Sequence, residues 1–319
     1  MLKVRVATKT FSMGLMVLAA GMTCGQDFPN RPVRILAAGA GGTGDFVARA
    51  MAQGISGYLG QQVIVDNRPT NLIASETVSK APPDGYTLLR NGNNLWLGPL
   101  LQKTPYDPFA DFIAITLTDE SPSVLVVHPS LPAKSVKELI ALAKARPGEL
   151  NYGSGSTGGG GHLSGELLKN MANINIVRVP YKSLGPALIE LMGGQIQLVF
   201  PSAPAAVPHM QSGKLRALAV TGAKPSALVP GVPTVGATVP GYELVGLTAI
   251  FAPAKTPEAI VRRLNQEMVR YLRTPDAKEK FFSAGSDVLG TTLEETAATI
   301  KADFTRMSKL IKDAGIKAD

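Results

Sequence analysis

Two stretches of this chain carry residue types that could hold an anion: Gly39-Ala40-Gly41-Gly42-Thr43-Gly44, and Gly153-Ser154-Gly155-Ser156-Thr157-Gly158 continuing through Gly159, Gly160 and Gly161. Each follows a strand-like run and precedes a helix-like one. A helix start leaves backbone N–H groups without intrahelical partners and carries the positive end of the helix dipole, and glycines let a ligand approach the backbone closely. Thr43, Ser154, Ser156 and Thr157 would add hydroxyls. Asp45 stands directly after the first loop, where it either accepts loop N–H groups and stiffens the loop or meets an ammonium or hydroxyl on the ligand. His162 stands after the second, where it either donates to an anion or caps locally. Two such loops far apart in sequence point to two lobes facing one anion.

The elements that must position these loops follow from the apolar rhythm. From Arg31 short apolar runs alternate with longer amphipathic segments: Val33 to Leu36, a helix from about Gly44 to Leu59, Val63 to Val65, a helix from about Leu72 to Lys80, and Thr87 to Leu89. The same rhythm resumes with Val124 to Val127, a helix from Ser135 to Ala145, a strand ending at Tyr152, a helix from about His162 to Ala172, Ile176 to Val179, a helix from Leu184 to Met192, Leu198 to Phe200 and Leu215 to Val220. Strands alternating with helices imply parallel sheets, here in two α/β units. Ser135 to Glu138 and Thr292 to Glu295 read as capping boxes, and Pro257 and Pro275 fall in first helical turns. The C-terminal part is therefore helical, and Gly222 to Gly241 reads as a long ordered loop.

Both glycine loops spell G-x-G-x-x-G, and Asp66 ends the strand after the first, where a ribose-binding carboxylate would lie. This dinucleotide reading, hence a nucleotide-dependent oxidoreductase, is a rival. Against it, the Asp45 charge would oppose a pyrophosphate, and no acid ends the strand Val179-Pro180-Tyr181 after the second loop. No serine stands in G-x-S-x-G, and the single cysteine, Cys24, lies in the leader, so no nucleophile is flagged and catalysis is not expected. His128 and His209 lie far apart, each beside a proline, and suggest no metal set. Trp96 reads equally as a wall of the ligand site or as a core residue. Tyr181, after a strand end, leans towards the cleft.

The 319 residues are 45% hydrophobic and 18% charged, enough for a sizeable core and about two domains. Lys3, Arg5 and Lys9 precede an apolar run from Phe11 to Ala20 and then small residues, the pattern of a secretory signal peptide over residues 1–25. Cleavage near Gly25 is favoured over lipidation at Cys24. Net charge is +8, of which the leader holds three, leaving 8 − 3 = +5. The basic residues are scattered without interleaved aromatics, which argues against nucleic acid and for a general pull on anions.

Ordered matches across the mature chain resemble a known family. They include Phe28-Pro29-Asn30-Arg31-Pro32-Val33-Arg34, Val65-Asp66-Asn67-Arg68-Pro69, Ala81-Pro82-Pro83-Asp84-Gly85-Tyr86-Thr87-Leu88-Leu89, Tyr106-Asp107-Pro108, Val126-Val127-His128-Pro129-Ser130-Leu131-Pro132, Val179-Pro180-Tyr181-Lys182, Gly193-Gly194-Gln195 and Gly213-Lys214-Leu215-Arg216-Ala217-Leu218-Ala219. This is similar to the extracytoplasmic solute receptors of tripartite tricarboxylate transporters, also called Bug receptors. The resemblance implies a two-lobed periplasmic binding-protein fold (type II-like), two α/β domains joined by crossing hinge strands. Such a protein would close on a small organic solute, often a carboxylate, and present it to a membrane permease without catalysis. It implies ligand contacts at Gly41, Gly42, Thr43, Gly44 and Asp45, and at Ser154, Ser156, Thr157, Gly158, Gly159, Gly160 and His162.

Three departures alter the site. Gly159-Gly160-Gly161 replaces hydroxyl residues of many members, Thr70-Asn71-Leu72 is short and glycine-free, and Phe200-Pro201 lacks an acid that could meet an amine. The expected division is residues 26–125 plus 250–319 for one lobe and 126–249 for the other. The expected site adds Trp96, Tyr181 and Ser202 to the loop residues, with helix-start amides neutralising the carboxylate without a fixed cation, and no metal or cofactor. Transport is the expected role; signalling to a membrane sensor is the alternative, and a hinge-closing receptor is most simply monomeric.

Overall fold

The structure, a computed structural model, describes residues 28–316 except positions 42, 156 and 182, and Thr43 by its backbone alone. The leader with Cys24, and Gly42 and Ser156 of the expected site, lie outside the described residues. From the N-terminal side run β1 (Val33–Ala38), α1 (Thr43–Leu59), β2 (Val63–Arg68), α2 (Asn71–Ser79), β3 (Thr87–Gly92), α3 (Asn94–Leu101) and β4 (Phe112–Pro122). There follow β5 (Val124–Val127), α4 (Val136–Ala145), β6 (Asn151–Ser154), α5 (Gly160–Ala172), β7 (Val177–Pro180), α6 (Leu184–Met192), β8 (Leu198–Val199), α7 (Ala203–Gln211) and β9 (Arg216–Val220). A long segment with one 3-10 turn at Val235–Ala237 leads into β10 (Val245–Pro253), α8 (Glu258–Leu272), α9 (Pro275–Ser283), β11 (Asp287–Val288) and α10 (Leu293–Asp313).

The strands form two sheets, ordered β11-β4-β10-β3-β1-β2 and β7-β6-β8-β5-β9. The expected parallel pairing holds for β2-β1-β3 and for β7-β6-β8. The remaining pairs are antiparallel, because β10 in the first sheet and β5 in the second run against the βα strands and each lies between two strands of the opposite sense, with β11 antiparallel to β4 at the edge. The first crossing takes one residue, Ser123, between β4 and β5; the return runs from β9 through residues 221–244 into β10.

Each sheet is covered on both faces, as parallel units require. One apolar cluster fills the space between β1, β2, α1, α8 and α9, with Ile35, Met51, Ile55, Leu264 and Phe281 fully buried. Another lies between β5, β8, α6 and α7, around Val124, Leu191 and Val199. The largest cluster runs through both lobes beside the crossings, joining Leu36 and Trp96 to Leu125, Tyr152, Phe200 and Leu310. The capping box at Thr292 and Glu295 forms in both directions. At α4 Ser135 accepts from Glu138, but the Glu138 carboxylate takes the N–H of Lys134, so only half of that box forms. Sequence rhythm overlooked α3 and α7. Each contains an interior proline, Pro99 and Pro208, which lowers helix propensity but is tolerated in an eight- or nine-residue helix with few interior hydrogen bonds to lose.

Candidate functional site

Where a parallel strand feeds a helix, the helix N-terminus lies at the carboxyl end of the sheet, so every βα unit aims its unpaired amides at the same edge. The two lobes face each other across these edges and enclose a cavity of about 470 Å³. Its walls include the starts of five helices: Gly44 of α1, Asn71 of α2, Asn94 of α3 with Asn93 before it, Gly160 of α5 with Gly158 before it, and Ser202 before α7. Three come from the first lobe and two from the second. Ser121, Ser123 and residues 244–248 of the crossing segments close one side, with Asp303 and Met307 of α10. A larger cavity of about 750 Å³ lies between the start of β4 and α10. It is lined by Phe109, Phe112 and Phe304 and includes neither glycine loop, so its apolar walls are unsuited to the anion chemistry read from the sequence.

Both loops are fixed by the same device. The Asp45 carboxylate accepts the N–H of Gly41 at 3.0 Å, the Arg49 Nε–H at 3.1 Å and the Asn67 amide at 2.9 Å. The Gly41 N–H is the main reason that its carboxyl sits below the usual range, and burial opposes the shift. At the second loop, Nδ1 of buried His162 accepts the N–H of Gly158 at 3.0 Å. In each case a side chain four residues ahead ties down a loop amide. For the Asp45 alternatives, the geometry favours stiffening of the loop; for His162, local capping.

Arg178 of β7 braces the second loop from behind, donating through Nε to Ser154 Oγ at 2.8 Å and through Nη2 to the Gly155 carbonyl at 3.2 Å. Ser154 is fully buried by this arrangement and does not line the cavity. Gly44, Gly158, Gly160 and Ser202 do line it, while Gly41, Thr157 and Gly159 belong to the flanking loop backbone. A Cβ on Gly160 would meet nothing within 4 Å, whereas one on Gly161 would stand 3.5 Å from the Phe200 carbonyl.

Two wall assignments need correcting. Trp96 is 1% exposed, and its indole N–H donates to Asp303 Oδ2 at 2.8 Å, so its ring is core and its polar edge fastens α3 to α10. Tyr181 is not in the lining: its hydroxyl donates to Glu190 at 2.5 Å, and its ring packs with the second-lobe cluster. Burial and the Glu190 carboxylate push this phenol up to about 12.

The lining also holds a cation that the expected site did not include, Arg90. Arg90 stands on β3 and reaches the start of α1, where a Cβ on Gly44 would lie 3.4 Å from its Nη1. Its Nη2 donates to the buried Asp119 carboxylate at 3.3 Å. The sequence signal was a lone charge directly after the buried pair Leu88-Leu89. The other charged side chain in the lining, Asp303, is taken up by Asn93, Trp96 and Arg306. Donors thus dominate the wall, and the arrangement suits an anion.

The family model described as "Tripartite tricarboxylate transporter family receptor" matches residues 47–316. The chain belongs to this family of transporter receptors. Among relatives of the family, Protein BugT of Bordetella pertussis (strain Tohama I) is 30% identical, over 96% of this chain and 97% of its own. Among solved structures, R. palustris Rpa4515 with adipate is 36% identical with a TM-score of 0.75, covering 91% of this chain and 99% of that one. MatC from Rhodopseudomonas palustris with bound malate is 28% identical with a TM-score of 0.69, covering 89% and 100%. The two-lobed receptor architecture expected from the sequence is thus the family's. Among the described residues no helix is long and apolar enough to cross a membrane.

Proposed function

We propose that this receptor works in the periplasm, captures a small organic carboxylate between its lobes and hands it to the membrane permease of a tripartite transporter, acting by binding and not by catalysis. The observation that carries this reading is the convergence of five helix starts on one cavity, with three in one lobe and two in the other. Each contributes partial positive charge at the cavity wall, and together they favour an anion there. That two related structures hold adipate and malate supports the same class. The division of the chain into lobes at about residues 125 and 250, and ligand contacts at the loop residues named above, are part of this proposal.

Capture follows from the split site. Either lobe alone offers part of the donor set, so the ligand gains its full contacts only when the lobes close, and this difference in contact energy drives closure. A thermal-shift screen of the chain from Gln26, unfolded and refolded to strip carried ligand, tests the reading with mono-, di- and tricarboxylates, amino acids and NAD(H). At about 100 times its dissociation constant a ligand adds roughly 2.7 kcal/mol, a rise of several degrees for a chain of this size. A selective rise with carboxylates is expected; a rise with NAD(H) alone would restore the dinucleotide reading.

A further inference from the structure

We propose that Arg90 is the first lobe's direct anchor for a ligand carboxylate, so that this receptor reads its ligand with a guanidinium as well as with backbone amides. The inference rests on the carboxylate reading above. The backbone places the residue: on β3 its side chain lies on the same face as Leu88, which packs in the cluster beneath α1, and this carries the guanidinium to the helix start at Gly44. The side chain is 12% exposed, and the residue lines the cavity.

The guanidinium is held but not saturated. Of its five N–H donors, one is used among the described residues, a single bond of 3.3 Å to Asp119 Oδ1, which also accepts from Thr118 Oγ1 at 2.6 Å. Nε is buried with no hydrogen-bond partner. A guanidinium meeting a carboxylate fully does so through two shorter bonds of about 2.7–2.9 Å. Asp119 therefore fixes the orientation of Arg90 and leaves donors for another acceptor. The location adds a second argument. A cation beside the positive end of α1 is unfavourable by itself, and an anion placed between them relieves both. Asp303, the other charged side chain in the lining, already takes three donors, whereas the Arg90 guanidinium keeps N–H groups beyond the one given to Asp119.

Isothermal titration of the refolded chain with mono-, di- and tricarboxylates, and with the primary amide of the tightest binder, tests this. The variants are Arg90→Gln/Asp119→Asn, which replaces the ion pair by two amides able to bond each other, and Arg90→Lys, which keeps the charge but loses the planar fork. The expected result is a loss of roughly 10- to 100-fold in carboxylate affinity for the double variant and a smaller loss for Arg90→Lys. Most of the wild-type preference for carboxylate over amide should also disappear, which loss of a purely structural ion pair would not cause. Wild-type affinity in the folded variants would overturn the role of Arg90 while leaving the receptor reading intact. Failure of the wild type to bind any carboxylate would overturn both.

Discussion

Gly158 of the second lobe sits against Leu101 of the first so closely that a Cβ on the glycine would lie 2.1 Å from Leu101 Cδ1. Gly158 also has φ of +74°, a conformation that costs an L side chain about 1–2 kcal/mol. The lobes therefore meet at the second glycine loop, and the absence of a side chain there sets how closely they approach. Gly158→Ala is expected to weaken ligand binding about tenfold or more while lowering stability by only about 1–2 kcal/mol. Adding Leu101→Ala removes the collision but not the strained φ, so titration of the pair should show part of the affinity returning.

Gly160 gives the opposite test. Its missing Cβ faces open space at the cavity wall and the residue stands at the start of α5, so a larger side chain fills the site without disturbing the fold. Gly160→Leu should abolish carboxylate binding in titration, with thermal stability unchanged or raised by up to about 1 kcal/mol from the loss of glycine's backbone freedom.

Asp45 links the loop to pH. Its folded carboxyl is depressed, chiefly by the Gly41 N–H, so it contributes stability above its ordinary value near 3.8 that is lost as pH falls through the lower folded value. Asp45→Ala removes three hydrogen bonds and should cost about 1–3 kcal/mol at pH 7. Denaturant melts of wild type and variant should converge as the pH is taken below 3.8.

Glu120 behaves in the reverse sense. It lies on β4 beside the crossing, and burial, with Asp287 and Glu243 nearby, raises its carboxyl above the ordinary value of 4.5 against the pull of Lys224. The fold binds its proton more tightly than the unfolded chain does, so stability falls as pH rises from 4.5 through the raised value and stays lower above it. Glu120→Gln should melt higher than wild type at pH 7.5 and no higher at pH 4.

Much of this site could be read from the residues, because glycine loops before amphipathic runs fix where helix starts lie. Gly44, Gly158 and Gly160 reach the cavity for that reason. What sequence could not give was the partner each side chain takes after the sheets assemble. Arg90 is a lone charge at a strand end until β3 pairs with β1 and brings it under α1. Trp96 reads equally as wall or core until Asp303, some two hundred residues later, claims its N–H. Ser202 belongs to the expected site, but the helix α7 that follows it does not show in the sequence, because Pro204 and Pro208 lower helix propensity there.

The most direct measurement is a crystal structure of the chain with the tightest carboxylate from the thermal screen. Carboxylate oxygens are expected at about 2.7–3.2 Å from backbone N–H groups at the starts of both α1 and α5, with the lobes closed around them. A ligand seated outside this cleft, in the apolar cavity beneath α10 or on one lobe alone, would contradict this expectation.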